Sequence, residues 1–179
     1  MSEDRLALKG ISDLSPEERI KLKQFSSGEI DIDEYIHKHA YGDQICNLTR
    51  TFVIMKQDFI LGYFTLTSDR ATIIKSSKLS KKLPTHDHFI HRRNSIPAVQ
   101  IHHFAVDKKY QKQGYGSQIM KTMIVFINVT ILPHMGASLL TVNSIKSAVG
   151  FYHKQGFDKT GNSRDTANTN MALVLGDVT

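Results

Sequence analysis

The chain has no tryptophan, a single cysteine and only four prolines among its 179 residues. One cysteine excludes an internal disulfide framework and fits a reducing compartment. It is Cys46, within Gln44-Ile45-Cys46-Asn47-Leu48, where nothing local would activate a thiolate, so it reads as a buried or partly buried bystander. Long apolar runs are missing too. The richest stretch, Met123 to Leu140, is interrupted by Asn128, Pro133 and His134, which leaves no membrane span to expect. The first residues are acidic and lead into no apolar block, so neither a secretory signal nor a transit peptide is expected, and the cytoplasm is the expected location. With no internal repeat, the length suits one domain over residues 1–179, large enough to bury a core without metals.

Charge is present in excess of one sign. Lys and Arg number 23 against 17 Asp and Glu, a formal net charge of +6. That balance favours anionic partners without choosing among nucleotide phosphates, nucleic acid and acidic protein. The excess gathers in residues 76–93, where Lys78, Lys81, Lys82, Arg92 and Arg93 face only Asp87. This segment reads as a basic loop and as a candidate RNA phosphate track, with Phe89 its one aromatic for base stacking. His86, His88 and His91 lie in the same loop, but without nearby Cys or a second carboxylate they point to no metal.

The pattern of elements is α/β. Ser15-Pro16-Glu17-Glu18 opens a helix with a hydroxyl cap, proline at the first helical position and acids in the first turn. Ile32, Tyr35, Ile36 and Ala40 recur at helical spacing. Arg50 to Lys56 and Ile60 to Thr67 are rich in β-branched and aromatic residues and predict a hairpin around Gln57-Asp58-Phe59. A strand is expected over Val99 to Val106, a helix over Ser117 to Thr130, a strand over Ala137 to Val142, a short helix over Ser147 to Gln155 closed by Gly156, and a last strand over Met171 to Leu175. The strand-helix-strand-helix order in the second half predicts a mixed sheet flanked by helices.

The most informative segment joins the expected strand at Phe104-Ala105-Val106 to the helix after it, through Gln111-Lys112-Gln113-Gly114-Tyr115-Gly116-Ser117. Glycine lets backbone approach a ligand, and the N–H groups of a first helical turn, with the helix dipole, favour an anion. The loop has no Gly-Lys-Ser/Thr of a P-loop and no third glycine of a dinucleotide fingerprint. Gln111 to Gly116 matches instead the Gln/Arg-x-x-Gly-x-Gly/Ala signature, and in this the chain resembles the Gcn5-related N-acetyltransferases (GNAT). The resemblance implies a splayed mixed sheet and acetyl-CoA as cosubstrate without a metal. It also implies that Gln111, Lys112, Gln113, Gly114, Tyr115, Gly116 and Ser117 hold the CoA pyrophosphate, while Phe104, Ala105 and Val106 pair with the pantetheine arm.

Moving an acetyl group from a thioester to an amine needs a neutral amine, a polarised carbonyl and a proton for the departing thiolate. A backbone N–H near Val106 is the expected donor to the acetyl oxygen. Phe151-Tyr152-His153-Lys154-Gln155-Gly156-Phe157 is similar to the family's late Phe-Tyr-x-x-x-Gly-Phe motif, which makes Tyr152 the expected general acid. Where many members carry a base glutamate, this chain has Gln100, and an amide takes no proton. His102 and His103 titrate in a useful range, but strand neighbours face opposite ways, so at most one of them is expected to reach a cleft. An α-amine is less basic than a lysine and needs less help, so the absent glutamate favours an α-amine acceptor.

Phe25-Ser26-Ser27-Gly28, Ile32-Asp33-Glu34-Tyr35, Thr51-Phe52-Val53-Ile54, Gly62-Tyr63-Phe64-Thr65-Leu66 and Phe104-Ala105-Val106-Asp107 resemble the acetyltransferase toxins of bacterial toxin-antitoxin pairs. That resemblance implies acetylation of the amino acid on charged tRNA and a small DNA-binding antitoxin as partner, and it admits a homodimer. The other readings are acetylation of a small-molecule, polyamine or protein amine, a non-catalytic CoA-binding regulatory module, and an RNA-binding protein on a vestigial cofactor fold.

Overall fold

In the computed structural model, which describes residues 6–73, 78–83, 95–161 and 167–176, helix α1 (Pro16–Leu22) starts as its sequence demands. Ser15 Oγ accepts the Glu18 N–H while the Glu18 carboxylate accepts the Ser15 N–H, a reciprocal capping box with proline at the first helical position. Helices α2 (Ile30–Glu34) and α3 (Ala40–Ile45) are joined by a wider π turn at Tyr35–His39. The expected hairpin is present: β2 (Arg50–Lys56) pairs antiparallel with β3 (Phe59–Ala71), and Gln57 makes the turn at φ +52°. Then come α4 (Lys78–Lys82), β4 (Ile96–Val106), α5 (Tyr115–Phe126) ending in a π turn at Ile127–Ile131, β5 (Leu139–Ile145), α6 (Val149–Lys154), β6 (Asp158–Lys159) and β7 (Asn168–Val174).

The strand that sequence reasoning missed is β1 (Leu6–Gly10), which pairs antiparallel with β2 from Leu6↔Lys56 to Gly10↔Phe52. Leu-Ala-Leu-Lys-Gly has no β-branched residue, so the strand comes from its partner's edge rather than from local preference. The full order is β1-β2-β3-β4-β5-β7-β6. β4 and β5 are parallel, and their register runs from Ala98↔Leu139 to Ile101↔Val142.

Two compact units divide the chain. The first comprises Met1–Thr67 and His102–Met123, with a core of Ile11, Leu14, Phe25, Ile36, Tyr63 and Ala105. Gly62 marks its tightest point: a Cβ there would stand 2.3 Å from the Ala105 carbonyl oxygen and 2.9 Å from Ile119. Beside it the β2–β3 register shifts, so that Leu61 is an extra residue, and its carbonyl accepts the Asp107 N–H at 2.8 Å. The second unit comprises Ser68–Ile101 and Ile124–Thr179, with Leu79, Leu83, Ile96, Ala98, Leu139 and Ala172 at its centre. Each fully buried leucine of this kind stabilises by roughly 1.5–3 kcal/mol.

Two expectations are corrected. Residues 78–82 of the expected basic loop are helical, because Leu79 on α4 and Leu83 just after it are buried at 1% and 5% exposure. Cys46 is exposed rather than buried: it caps the C-terminal end of α3, and Asn47 at φ +60° turns the chain away there. Arg92, Arg93, Asp87, Phe89 and the three loop histidines lie outside the described residues. Among the described residues no helix is long and apolar enough to cross a membrane, and no three His, Cys, Asp or Glu side chains gather as a metal site.

Candidate active site

The glycine loop begins where β4 ends. Asp107 is 5% exposed, and its carboxylate accepts the Lys109 N–H at 2.9 Å and the Ser26 N–H at 3.3 Å. The Lys108 N–H donates to the Ser26 carbonyl at 2.8 Å. Gln111 Nε2 donates to the Ser27 carbonyl at 2.8 Å and to the Val106 carbonyl at 3.0 Å. Gln113 Nε2 donates to the Lys109 carbonyl at 2.9 Å. The two glutamine side chains of the signature are thus spent on main chain, and what they leave facing outward is backbone.

The Ser26-Ser27 segment that receives these bonds is itself fixed by Asp33. Its carboxylate accepts Ser27 N–H at 2.7 Å, Ser27 Oγ at 2.6 Å and Ser26 Oγ at 2.7 Å. Burial works against its charge, but the bonds from Ser27, Ser26 and Gly28 win, and Asp33 is held below the usual carboxylate range. The sequence motifs Phe25-Ser26-Ser27-Gly28 and Ile32-Asp33-Glu34-Tyr35 therefore form the brace under the loop.

Past this brace the chain turns through two left-handed residues, Lys112 at φ +61° and Gly114 at φ +87°. Nothing lies within 4 Å of where a Gly114 Cβ would stand, so the backbone there faces open space. Tyr115, Gly116 and Ser117 form the first turn of α5, whose hydrogen-bond ladder begins with Gln118 N–H donating to the Gly114 carbonyl at 3.3 Å. Amides ahead of that ladder are the part of a helix that takes an anion. The arrangement fits a diphosphate, and Lys108, Lys109 and Lys112 add exposed positive charge around it. Sequence reasoning missed the aromatic wall beside the loop. Tyr110 meets Tyr115 edge-on with centroids 6.1 Å apart, and the Lys56 ammonium sits 5.6 Å over the Tyr115 ring. A groove of about 230 Å³ flanks the same loop, lined by Phe25, Phe59, Ile60, Tyr110, Lys21 and Lys109.

On β4, Phe104 and Val106 are half-buried and Ala105 is buried against Gly62. His102 and His103 do not part as strand neighbours were expected to. Their Nδ1 atoms lie 2.6 Å apart, and His103 stacks on Tyr35 with centroids 3.8 Å apart while His102 lies 5.7 Å from the same ring. Strand alternation fixes the Cα–Cβ direction, not where a ring ends. Burial, reinforced by His102 and opposed by Asp43, pushes His103 down to about 4, so it is neutral at pH 7 and a poor proton acceptor.

In the second unit, Tyr152 is buried on α6 with its ring edge-on to Phe151 and Phe157, centroids 5.3 and 5.4 Å away. Gly156 at φ +92° ends this helix, and Phe157 N–H donates to the Tyr152 carbonyl at 3.1 Å. Burial raises the phenol far above its ordinary range, so it is protonated at any working pH. Of the basic residues, Lys82 is tied to Asp158 at 2.6 Å, while Lys78 and Lys81 lie on the exposed side of α4. Gln100 on β4 is half-buried and faces Thr141 in register.

Residues 89–173 match the model of an acetyltransferase (GNAT) domain. Over 101 residues the chain is 26% identical to a tRNA-acetylating toxin of Mycobacterium tuberculosis (strain ATCC 25618 / H37Rv), covering 56% of this chain and 55% of that protein, so the match spans about half the curated relative's length. Among solved structures, the crystal structure of a bacterial toxin has a TM-score of 0.76 at 17% identity, covering 96% of this chain and 92% of that one. A structure of a tyrosine-to-phenylalanine mutant of the toxin AtaT, bound to the C-terminus of the antitoxin AtaR and acetyl-CoA, has a TM-score of 0.69 at 19% identity, covering 96% and 94%. At these identities the likeness is one of fold. β4, the glycine loop, α5 and Tyr152 all lie inside the segment that matches the acetyltransferase (GNAT) domain model, and the chain as a whole has the fold of these structures.

Proposed function

We propose that residues 1–179 act as one acetyl-CoA-dependent N-acetyltransferase domain in the cytoplasm, and that the acceptor is the α-amino group of aminoacyl-tRNA. The observation that carries the reading is the open backbone at Gly114, φ +87°, leading into the first turn of α5 and braced from beneath by Asp107, Gln111 and Ser27. That is a seat for a diphosphate, and no side chain is needed to complete it. The tRNA acceptor is supported by the likeness to the tRNA-acetylating toxin and by the fold shared with AtaT, one structure of which is complexed with acetyl-methionyl-tRNAfMet. A small DNA-binding antitoxin is the partner this reading implies, since AtaT is also seen bound to the antitoxin AtaR.

Acetyl-CoA supplies the activated acyl group. The chain's own part is to seat the diphosphate on loop amides, to polarise the acetyl carbonyl through a backbone N–H near Val106, and to supply a proton from Tyr152. A phenol raised by burial is a weak donor toward a thiolate in water, where the conjugate thiol titrates at roughly 8 to 9. A thiolate departing into dry surroundings is raised in the same direction, which narrows the gap between donor and acceptor. Lys78 and Lys81, with Arg92 and Arg93, are the proposed contacts to tRNA phosphates, and Lys82 contributes less because Asp158 holds it.

Calorimetry with acetyl-CoA tests the seat. Saturable binding is expected, weakened about tenfold or more when Gly114 and Gly116 are both replaced by valine, because a Cβ at φ +87° strains the turn and fills the space for phosphate. Unchanged binding by that double variant would remove the site.

A further inference from the structure

Asp69 lies near the end of β3, and its two carboxylate oxygens are held in different ways. Oδ1 accepts the Arg70 N–H at 2.7 Å, and Oδ2 accepts the Thr141 hydroxyl at 2.6 Å. Thr141 is on β5, so this bond reaches over β4, which lies between them in the sheet. Thr141 is also the register partner of Gln100 on β4. Register partners in neighbouring strands project to the same face, so Thr141 and Gln100 share one face of the second unit, and the bond to Thr141 brings the Asp69 carboxylate to it. Thr141 is buried, whereas Asp69 and Gln100 are each half-buried and open outward. Among the described residues the Gln100 side-chain amide has no hydrogen-bond partner. The cluster lies one residue before the β4–β5 register ends at Ile101↔Val142.

A carboxylate, fixed but with lone pairs to spare, beside an unused amide donor, matches two groups in one ligand: an ammonium and a carbonyl oxygen. An α-aminoacyl ester carries both on adjacent carbons, and a simple alkyl amine carries only the first. We propose that Asp69 and Gln100 read the α-aminoacyl group of the acceptor, Asp69 taking the ammonium and Gln100 donating to the adjacent carbonyl, with Thr141 positioning Asp69. This deepens the transferase reading above and rests on it.

The step balances in protons. Asp69 takes one proton from the ammonium and passes it to water, which leaves a neutral amine. The nitrogen lone pair forms the new C–N bond as the thioester C–S bond breaks. Of the two remaining nitrogen protons, one stays in the amide product and the other reaches the sulfur through Tyr152, which gives its own proton and recovers that one.

The test compares methionine methyl ester with n-butylamine as acceptors, at saturating acetyl-CoA, with the full chain. Asp69→Asn should lower kcat/KM about 10- to 100-fold on both, since both present an ammonium. Gln100→Leu should raise KM for the ester about tenfold and leave butylamine unchanged. Thr141→Val should lower kcat on both amines by less than Asp69→Asn, and Asp69→Glu should recover part of the loss. Acetyl-CoA affinity should be the same in all four. Should Asp69→Asn melt early or lose acetyl-CoA, Thr141→Val carries the same test. Activity of Asp69→Asn and Thr141→Val within threefold of the parent overturns the proposal, as does a Gln100→Leu effect equal on both amines. A parent chain that binds acetyl-CoA but acetylates neither amine sinks the transferase reading itself and this proposal with it.

Discussion

The glycine loop and the Tyr152 helix are held in opposite ways. Around the loop, polar side chains do the holding: Asp107, Gln111, Gln113 and Asp33 each bind main-chain groups, and the surface left open is backbone. Around Tyr152 the holding is by burial among Phe151 and Phe157, and the feature of interest is a single hydroxyl. On the function proposed above, the difference separates two tasks. A seat for a charged group tolerates water and needs many fixed dipoles, whereas a proton donor to sulfur works best where water is absent.

The sharpest way to break this contrast is Tyr152→Phe. Removing one oxygen should leave acetyl-CoA affinity unchanged and lower kcat by about 100-fold or more. Equal turnover in a steady-state assay would make the ring a packing element only. Next in size is Gly62→Ala, which places a Cβ against the Ala105 carbonyl in the unit that carries the loop. Overpacking against backbone should cost about 1–3 kcal/mol, read as a lower midpoint in urea with unchanged slope.

How much of this could be read beforehand follows the same line. Main-chain requirements were legible: Gly114 must let the backbone come close to a ligand, Ser15 must cap, Gly156 must close α6, and each is a local demand met by few residue types. Tertiary contacts were not. The Asp69–Thr141 bond joins residues 72 positions apart, and the stack of His103 on Tyr35 comes from two segments that carry no pattern linking them. β1 was silent because its partner makes it a strand, and α4 because two buried leucines outweighed a run of lysines.

Acid sharpens the comparison on the loop side. His103 titrates at about 4 against an ordinary 6.5, chiefly from burial and then from His102, with Asp43 pulling the other way. Between those values the unfolded chain binds a proton that the folded chain refuses. Stability from the neutral ring is therefore present above about 6.5 and declines as pH falls toward 4. Melting temperature should drop over that interval, and His103→Asn should flatten the drop. The smallest effect belongs to the exposed ion pair of the second unit, Lys82–Asp158. Lys82→Ala breaks an ion pair whose lysine is 55% exposed, so stability should change by less than about 1 kcal/mol, less still in high salt.

The solvent-facing thiol at the end of α3 has a practical result. A protein with one such group per molecule can be coupled to another through oxidation only once, after which no reactive sulfur remains, so storage without reductant should yield covalent pairs and never longer chains. The same stoichiometry gives a fluorophore a single point of attachment without any engineering.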